Sequence, residues 1–255
     1  MYVRLLRYTE DPERTVALAA RLCYSPVGIG AIEKKLGPKE TRRLVRMLIK
    51  MGHESALEHA SFTFGIEGIS RCCSHQLVRH RLASYSQQSQ RYVGEHSAMH
   101  GGVFDFVIPP SVVEIGYEDW FREKMAAIQV WYDELVTALG NRGEASNEDA
   151  RFILPNAAET KIVVTMNSRE LLHFFRVRTC NRAQWEIRAL AIEMLRHVKA
   201  VAPHLFAKAG PACYTDRCRE GKLSCGRSDA VRARLEALSP PAKKTATKSR
   251  SAEGD

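Results

Sequence analysis

The sequence predicts one mixed domain of the α/β (α+β) kind, a central sheet flanked by helices. Three observations predict it. Thr160 to Met166, with Lys161-Ile162-Val163-Val164-Thr165 at its centre, is a β-branched run of strand length. Ala60, Phe62, Phe64 and Ile66 alternate with polar or small neighbours, a second strand signal. Phe121, Met125, Ile128, Tyr132, Leu135, Val136 and Leu139 fall on one stripe of a long amphipathic helix from Glu118 to Leu139.

The other elements follow in order. Met1 to Arg7 alternates polar and apolar residues and then meets Asp11-Pro12, which reads as a first strand and not as a signal peptide. Pro12 to Tyr24 reads as a helix capped by Asp11, with proline at its first position. Pro38 to Met51 reads as another, burying Leu44, Val45, Leu48 and Ile49, and Gly52 stops it. A strand is expected from Glu58 to Ile66, then a helix from Ser70 to Val78 that delivers the chain into Arg79. Phe104 to Pro110 is extended, and Asn147 to Phe152 holds a helical turn or two. After the Thr160 strand come helices from Ser168 to Arg178 and from Arg182 to Val201, the latter ended by Pro203. There is no internal repeat. The expected division is a main domain over 1–207, a cysteine-containing extension over 208–238, and a disordered basic tail over 239–255, rich in Pro, Ala, Lys, Thr and Ser.

With 255 residues, 45% of them hydrophobic, the chain can bury one substantial core. It has no apolar run long enough to span a bilayer, so a cytoplasmic protein is expected. Seven cysteines, an odd number without a secretory signal, argue for reduced thiols. Of the net charge of +9, segment 239–255 carries four cations against two acids, which leaves +7 over the rest. That surplus suits small phosphorylated ligands as well as polynucleotides.

The densest chemistry lies in Arg79-His80-Arg81-Leu82-Ala83-Ser84-Tyr85-Ser86-Gln87-Gln88-Ser89-Gln90-Arg91. Burying so many donors without partners would cost far more than it returned, so this run is not expected as a core element. It offers guanidinium forks for phosphate, with hydroxyls and amides close by. Four clusters share its character. Gly52 to His59 holds His53, Glu54, Ser55, Glu58 and His59; its histidines are six apart across a change of element, which is not zinc-protease spacing, so no metal is expected there. Gln76 shares a helical face with Arg79. Arg151 sits beside four apolar residues and a proline and needs an anion, either a structural carboxylate or a ligand. In Asn167 to Arg178 a helical wheel groups Arg169, His173 and Arg176 on one side, while Arg178 falls toward the apolar side of Leu171, Phe174 and Phe175. No glycine-rich phosphate loop is present, so any nucleotide is held by side chains. A nucleic-acid binder would interleave aromatics with Lys and Arg. The run has only Tyr85 and no lysine, so nucleic acid is not the expected partner.

Arg79-His80-Arg81, seven residues, then Ser89-Gln90-Arg91-Tyr92 resembles the signature of the flavin-dependent thymidylate synthases. The likeness extends to Gly52-His53-Glu54-Ser55, Gln76 to Arg79, Ala150-Arg151 to Leu154-Pro155, and Asn167 through Arg178 to Gln184-Trp185-Glu186-Ile187, most of Met1 to Phe206. The resemblance implies that family's fold and a homotetramer with sites between subunits. Each site would hold FAD beside dUMP, with NADPH as reductant, methylenetetrahydrofolate as carbon donor, and no cysteine nucleophile. It implies FAD contacts at His53, Ser55, Arg79, His80, Arg81, Gln87, Asn167, Arg169 and His173. It implies dUMP contacts at Gln76, Arg79, Gln87, Gln88, Ser89, Gln90, Arg91, Arg151 and Arg178, and gives Arg178 the catalytic part of polarising the pyrimidine. Gln87 stands where some members carry glutamate, and His173 where some carry asparagine. Another FAD-dependent nucleotide-modifying enzyme would share the flavin and phosphate features without requiring Gln76, Arg151, Arg178 and the signature together. Cys213, Cys218 and Cys225 lie past the common core. They are either a surface extension or part of a zinc site with His204.

Overall fold

The alternation of the N-terminal residues forms β1 (Tyr2–Tyr8), and Asp11 caps the helix that follows, accepting from the Arg14 N–H at 3.4 Å. That helix is α1 (Pro12–Leu22), and α2 (Ile29–Lys35) and α3 (Pro38–Met51) come next. Gly52, at φ 69°, closes α3. β2 (Ser61–Ser70) leads into α4 (Arg71–Leu77), and β3 (Ala83–Gln87) follows. After α5 (Pro110–Glu114), α6 (Glu118–Ala138) and α7 (Glu144–Ala150) come β4 (Glu159–Asn167), α8 (Ser168–Arg178) and α9 (Trp185–Val201). Two further helices, α10 (Ala212–Thr215) and α11 (Ser228–Glu236), complete the described residues. This computed structural model describes residues 1–238, so the tail expected over 239–255 lies outside the described residues.

The four strands form one antiparallel sheet in the order β1-β2-β4-β3. Phe62, Phe64 and Ile66 of β2 and Ile162, Val164 and Met166 of β4 are buried in one cluster with Leu171, Phe174 and Phe175 of α8 and the apolar stripe of α9. The opposite face is polar or half-exposed, where Thr63 and Thr165 exchange a hydroxyl bond of 2.9 Å. The same core takes in Cys213, Val231 and Leu235, so α10 and α11 pack on it. Among the described residues no helix is long and apolar enough to cross a membrane.

Two features of this sheet aim the chain at the site. β2 bulges between Ile66 and Ile69, where Gly68 adopts φ 72° and a Cβ would meet the Met1 nitrogen at 2.9 Å. Ser70 then caps α4, its Oγ accepting from the Cys73 N–H. Buried Glu186 of α9 accepts from the Ser70 N–H at 2.7 Å and from its hydroxyl.

The structure departs from the sequence expectations at several ends. Ser55–His59 is a 3-10 turn, so β2 starts at Ser61, later than Glu58, and runs on past the two glycines to Ser70. α9 begins at Trp185, not Arg182, because the Gln184 side chain caps it, accepting from Glu186 and Ile187 N–H. The polar run contains β3, whose backbone donors are met by β4 while Ser84 and Ser86 face outward.

Replacing Glu186 by leucine leaves the Ser70 N–H and hydroxyl buried without their acceptor. The expected loss is about 2–4 kcal/mol of unfolding free energy, measured by urea denaturation.

Candidate functional site

α4 leaves β2 where Ser70 pairs with Glu159, and α8 leaves β4 at the other end, where Asn167 pairs with Ser61. Their last turns meet. Arg178, at the end of α8, donates from Nε to His80 Nε2 at 3.0 Å and from Nη2 to the Gln76 carbonyl of α4 at 3.3 Å. Among the described residues no carboxylate lies within ion-pair distance of this half-buried guanidinium. Burial pulls its pKa below the usual arginine value.

His80 is buried, with Phe174 edge-on at 4.9 Å. Its Nδ1 lies 3.3 Å from Glu170 Oε1. Desolvation first, then the charges of Arg178 and His173, pull its pKa to about 4, so the ring facing Glu170 is neutral and the contact is not an ion pair. Burial raises the pKa of Glu170. The Tyr85 hydroxyl of β3 stands 2.9 and 2.8 Å from the carbonyls of Leu77 and His80, which ties this corner to the sheet edge.

A second group gathers at the start of α4. The backbone N–H groups of Arg71 and Cys72 bond the carbonyls of Ala158 and Asn156, which sets Arg71 beside the loop carrying Arg151. Among the described residues Arg151 donates only to the Glu148 carbonyl, at 3.2 Å. Desolvation, then the charge of Arg151, lowers the pKa of Arg71. Neither guanidinium has a carboxylate within ion-pair distance among the described residues, and nearby Glu95 stands 2.9 Å from His100. Arg91 instead pairs with Glu144 and Glu148, at 2.7 and 2.9 Å, in contacts exposed enough for a phosphate to displace them. Gln87 donates to the hydroxyls of Ser74 and Thr160 at 3.1 and 3.0 Å. Gln88 bonds the Lys161 carbonyl through its backbone, Ser89 Oγ accepts from the Arg91 N–H, and Gln90 is buried.

The remaining expected residues lie around α8 and the turn before β2. Asn167 caps α8, accepting from the Glu170 N–H at 2.9 Å. Arg169 pairs with Glu54 and Glu58 at 3.1 and 2.5 Å, so those acids serve an arginine. Arg176 and His173 share a bond of 3.0 Å. Arg169, Glu170, His173 and Arg176 line a cavity of about 530 Å³ with Lys208 and Arg219, which follow α9. Glu54 and Asp216 also line it, so four cations there face three acids. Arg79, Arg81 and Ser55 are exposed nearby in sequence, whereas His53 lines a separate apolar cavity with Tyr24, Met47 and Met51.

Arg178 lines a further cavity, of about 380 Å³, with Cys180, Cys213 and Cys218. Burial pushes the Cys73 and Cys213 thiols up, away from thiolate. Exposed Cys225 is lowered, chiefly by the Arg227 backbone N–H. Among the described residues no three His, Cys, Asp or Glu side chains are gathered as a metal site would need. His204 bonds Glu13 through its backbone.

Sequence reasoning passed over Arg71 and Glu170. Arg71 carried no signal beyond an arginine after a strand. Glu170 stands three residues after Asn167, the spacing of a capping box, which hides its contact with His80.

A family model described as "Thymidylate synthase complementing protein" matches residues 4–204. The chain is 54% identical over 233 residues to the flavin-dependent thymidylate synthase of Geobacter sulfurreducens, covering 91% of this chain and 97% of that protein. It is 49% identical over 238 residues to that of Clostridium tetani, with 89% and 93% covered. To that of Nitratidesulfovibrio vulgaris it is 44% identical over 236 residues, with 88% and 94% covered.

His80 takes a proton near pH 6.5 in the unfolded chain, but only near pH 4 in the folded one. The unfolded state therefore binds more protons across that window, and folding stability falls as pH drops through it, by up to about 3 kcal/mol. The melting temperature is expected to decline more steeply from pH 7 to pH 5 in the wild type than in His80→Gln under matched buffers.

Proposed function

The chain belongs to the flavin-dependent thymidylate synthase family, and from that premise we propose that it converts dUMP to dTMP. Methylenetetrahydrofolate is the carbon donor and NADPH the reductant. FAD, when bound and reduced, supplies the hydride that completes the methyl group. The working form is a cytoplasmic homotetramer with sites between subunits. Residues 1–207 form its catalytic domain, and 208–238 and 239–255 are an extension and a tail.

The observation that carries the reading is the placement of arginines without carboxylates. Arg178 is a fixed, half-buried cation with N–H donors left over after His80 and Gln76 are served. Set against a uracil carbonyl, it stabilises the negative charge that develops as the N3 proton departs. Arg71 and Arg151 form a second cationic spot, suited to a phosphate. We assign dUMP to Gln76, Arg79, Gln87 to Arg91, Arg151 and Arg178. We assign FAD to His53, Ser55, Arg79 to Arg81, Gln87, Asn167, Arg169 and His173. Arg169 turns from its exposed ion pairs to the flavin phosphates. The His80 ring nitrogens are both engaged within the chain, so this residue meets the flavin through other atoms. Ser89 binds dUMP as a hydrogen-bonding group, because among the described residues no base touches its hydroxyl.

The test is turnover. Purified protein is expected to be yellow and to form dTMP from dUMP, methylenetetrahydrofolate and NADPH, with Arg178→Ala slower in kcat by roughly a hundredfold. A colourless protein that neither takes up FAD nor binds dUMP sinks the reading. NADPH oxidation with dUMP present but no dTMP formed points to another flavin-dependent nucleotide enzyme. Arg151→Ala is expected to raise KM for dUMP by about tenfold while changing kcat far less, the signature of a ground-state phosphate contact.

A further inference from the structure

We infer that Glu170 is a positioning residue for Arg178 and acts through the imidazole of His80. This rests on the assignment of Arg178 to the pyrimidine.

The protons allow one arrangement. A guanidinium only donates, so His80 Nε2, 3.0 Å from Arg178 Nε, must be a bare acceptor. A neutral ring then carries its hydrogen on Nδ1, and the carboxylate oxygen facing Nδ1, at 3.3 Å, is Glu170 Oε1, the acceptor this inference assigns to it. The tautomer is thus set from the Arg178 side and held from the Glu170 side. A flipped ring would put carbon atoms against both partners. Glu170, Phe174 and Arg178 recur every four residues along α8, so one stripe of one helix carries both ends of the relay and the aromatic ring that packs on its middle.

The relay does what a direct ion pair would not. A carboxylate touching Arg178 would engage its fork two bonds at a time and hold donors needed by a ligand. With an imidazole between them, Glu170 supplies a negative charge one ring away and fixes Nε, while Gln76 fixes Nη2. The plane of the guanidinium is then set, and its other donors remain for the substrate.

Glu170→Leu keeps bulk and removes the acceptor, whereas Glu170→Gln keeps an oxygen for Nδ1–H and removes the charge. In the FAD-loaded full-length enzyme we expect Glu170→Leu to lower kcat about tenfold or more, with KM for dUMP and bound FAD within about twofold of wild type. Glu170→Gln should recover most of that loss. Glu170→Leu combined with Arg178→Ala should be no slower than Arg178→Ala alone, because the two residues act as one unit. The inference is overturned if Glu170→Leu keeps kcat within twofold while Arg178→Ala is impaired. Multiplicative losses in the double variant also overturn it, as does a loss of kcat that merely follows loss of FAD or of melting temperature. If Arg178→Ala itself keeps full activity, the fault lies in the role given to Arg178, and the inference falls with it.

Discussion

A half-buried guanidinium with no carboxylate in contact among the described residues organises this molecule. Arg178 is tolerated because two helix ends converge on it. α8 finishes at its own backbone, and α4 offers the Gln76 carbonyl, so the negative ends of two helix dipoles surround one cation. That convergence depends on the sheet. β2 and β4 are antiparallel neighbours, so the helices that leave their C-terminal ends start from opposite rims and approach over the same face. The Ser70 cap, the Glu186 carboxylate and the bulge at Gly68 fix where α4 begins, and so fix where its last carbonyl lies.

Much of this frame was legible in the sequence. Asp11-Pro12 and the Pro38 to Gly52 segment state their helix boundaries by local chemistry, and the β-branched run of β4 states its own. β3 was not legible, because an edge strand with serines on its outer face lacks apolar alternation, and its donors are satisfied by a partner far away in sequence. The start of β2 was misjudged because Ala60 and Phe62 continue an apolar pattern through a change from 3-10 turn to strand. At the site, the helical wheel of α8 placed Arg178 on the apolar side, where it lies. The wheel could not reveal that Glu54 and Glu58 neutralise Arg169, since that pairing crosses 115 and 111 residues of chain.

Glu170 illustrates how a local rule can conceal a tertiary one. Asn-x-x-Glu at a helix start ordinarily means reciprocal capping. Here Asn167 does its half, accepting from the Glu170 N–H, while the glutamate side chain turns to a histidine ninety residues earlier in the chain. Among the described residues the reciprocal bond, from the Asn167 N–H to the Glu170 carboxylate, is not made, so that side chain turns elsewhere. The first turn of α8 thereby contributes an acceptor to the centre of the molecule.

The distribution of charge follows the same logic. Where an arginine lies exposed, as Arg169 does, acidic partners pair with it, and such contacts are weak enough to exchange for a ligand. At half-buried Arg151 and Arg178 the protein supplies carbonyls or an imidazole in place of carboxylates. A direct carboxylate partner would have occupied the guanidinium donors that an arriving anion needs. Carbonyl and imidazole partners satisfy geometry without cancelling charge. The net charge of +9 therefore matters less as a global field than as a few cations kept uncancelled at the places where α4 begins and ends.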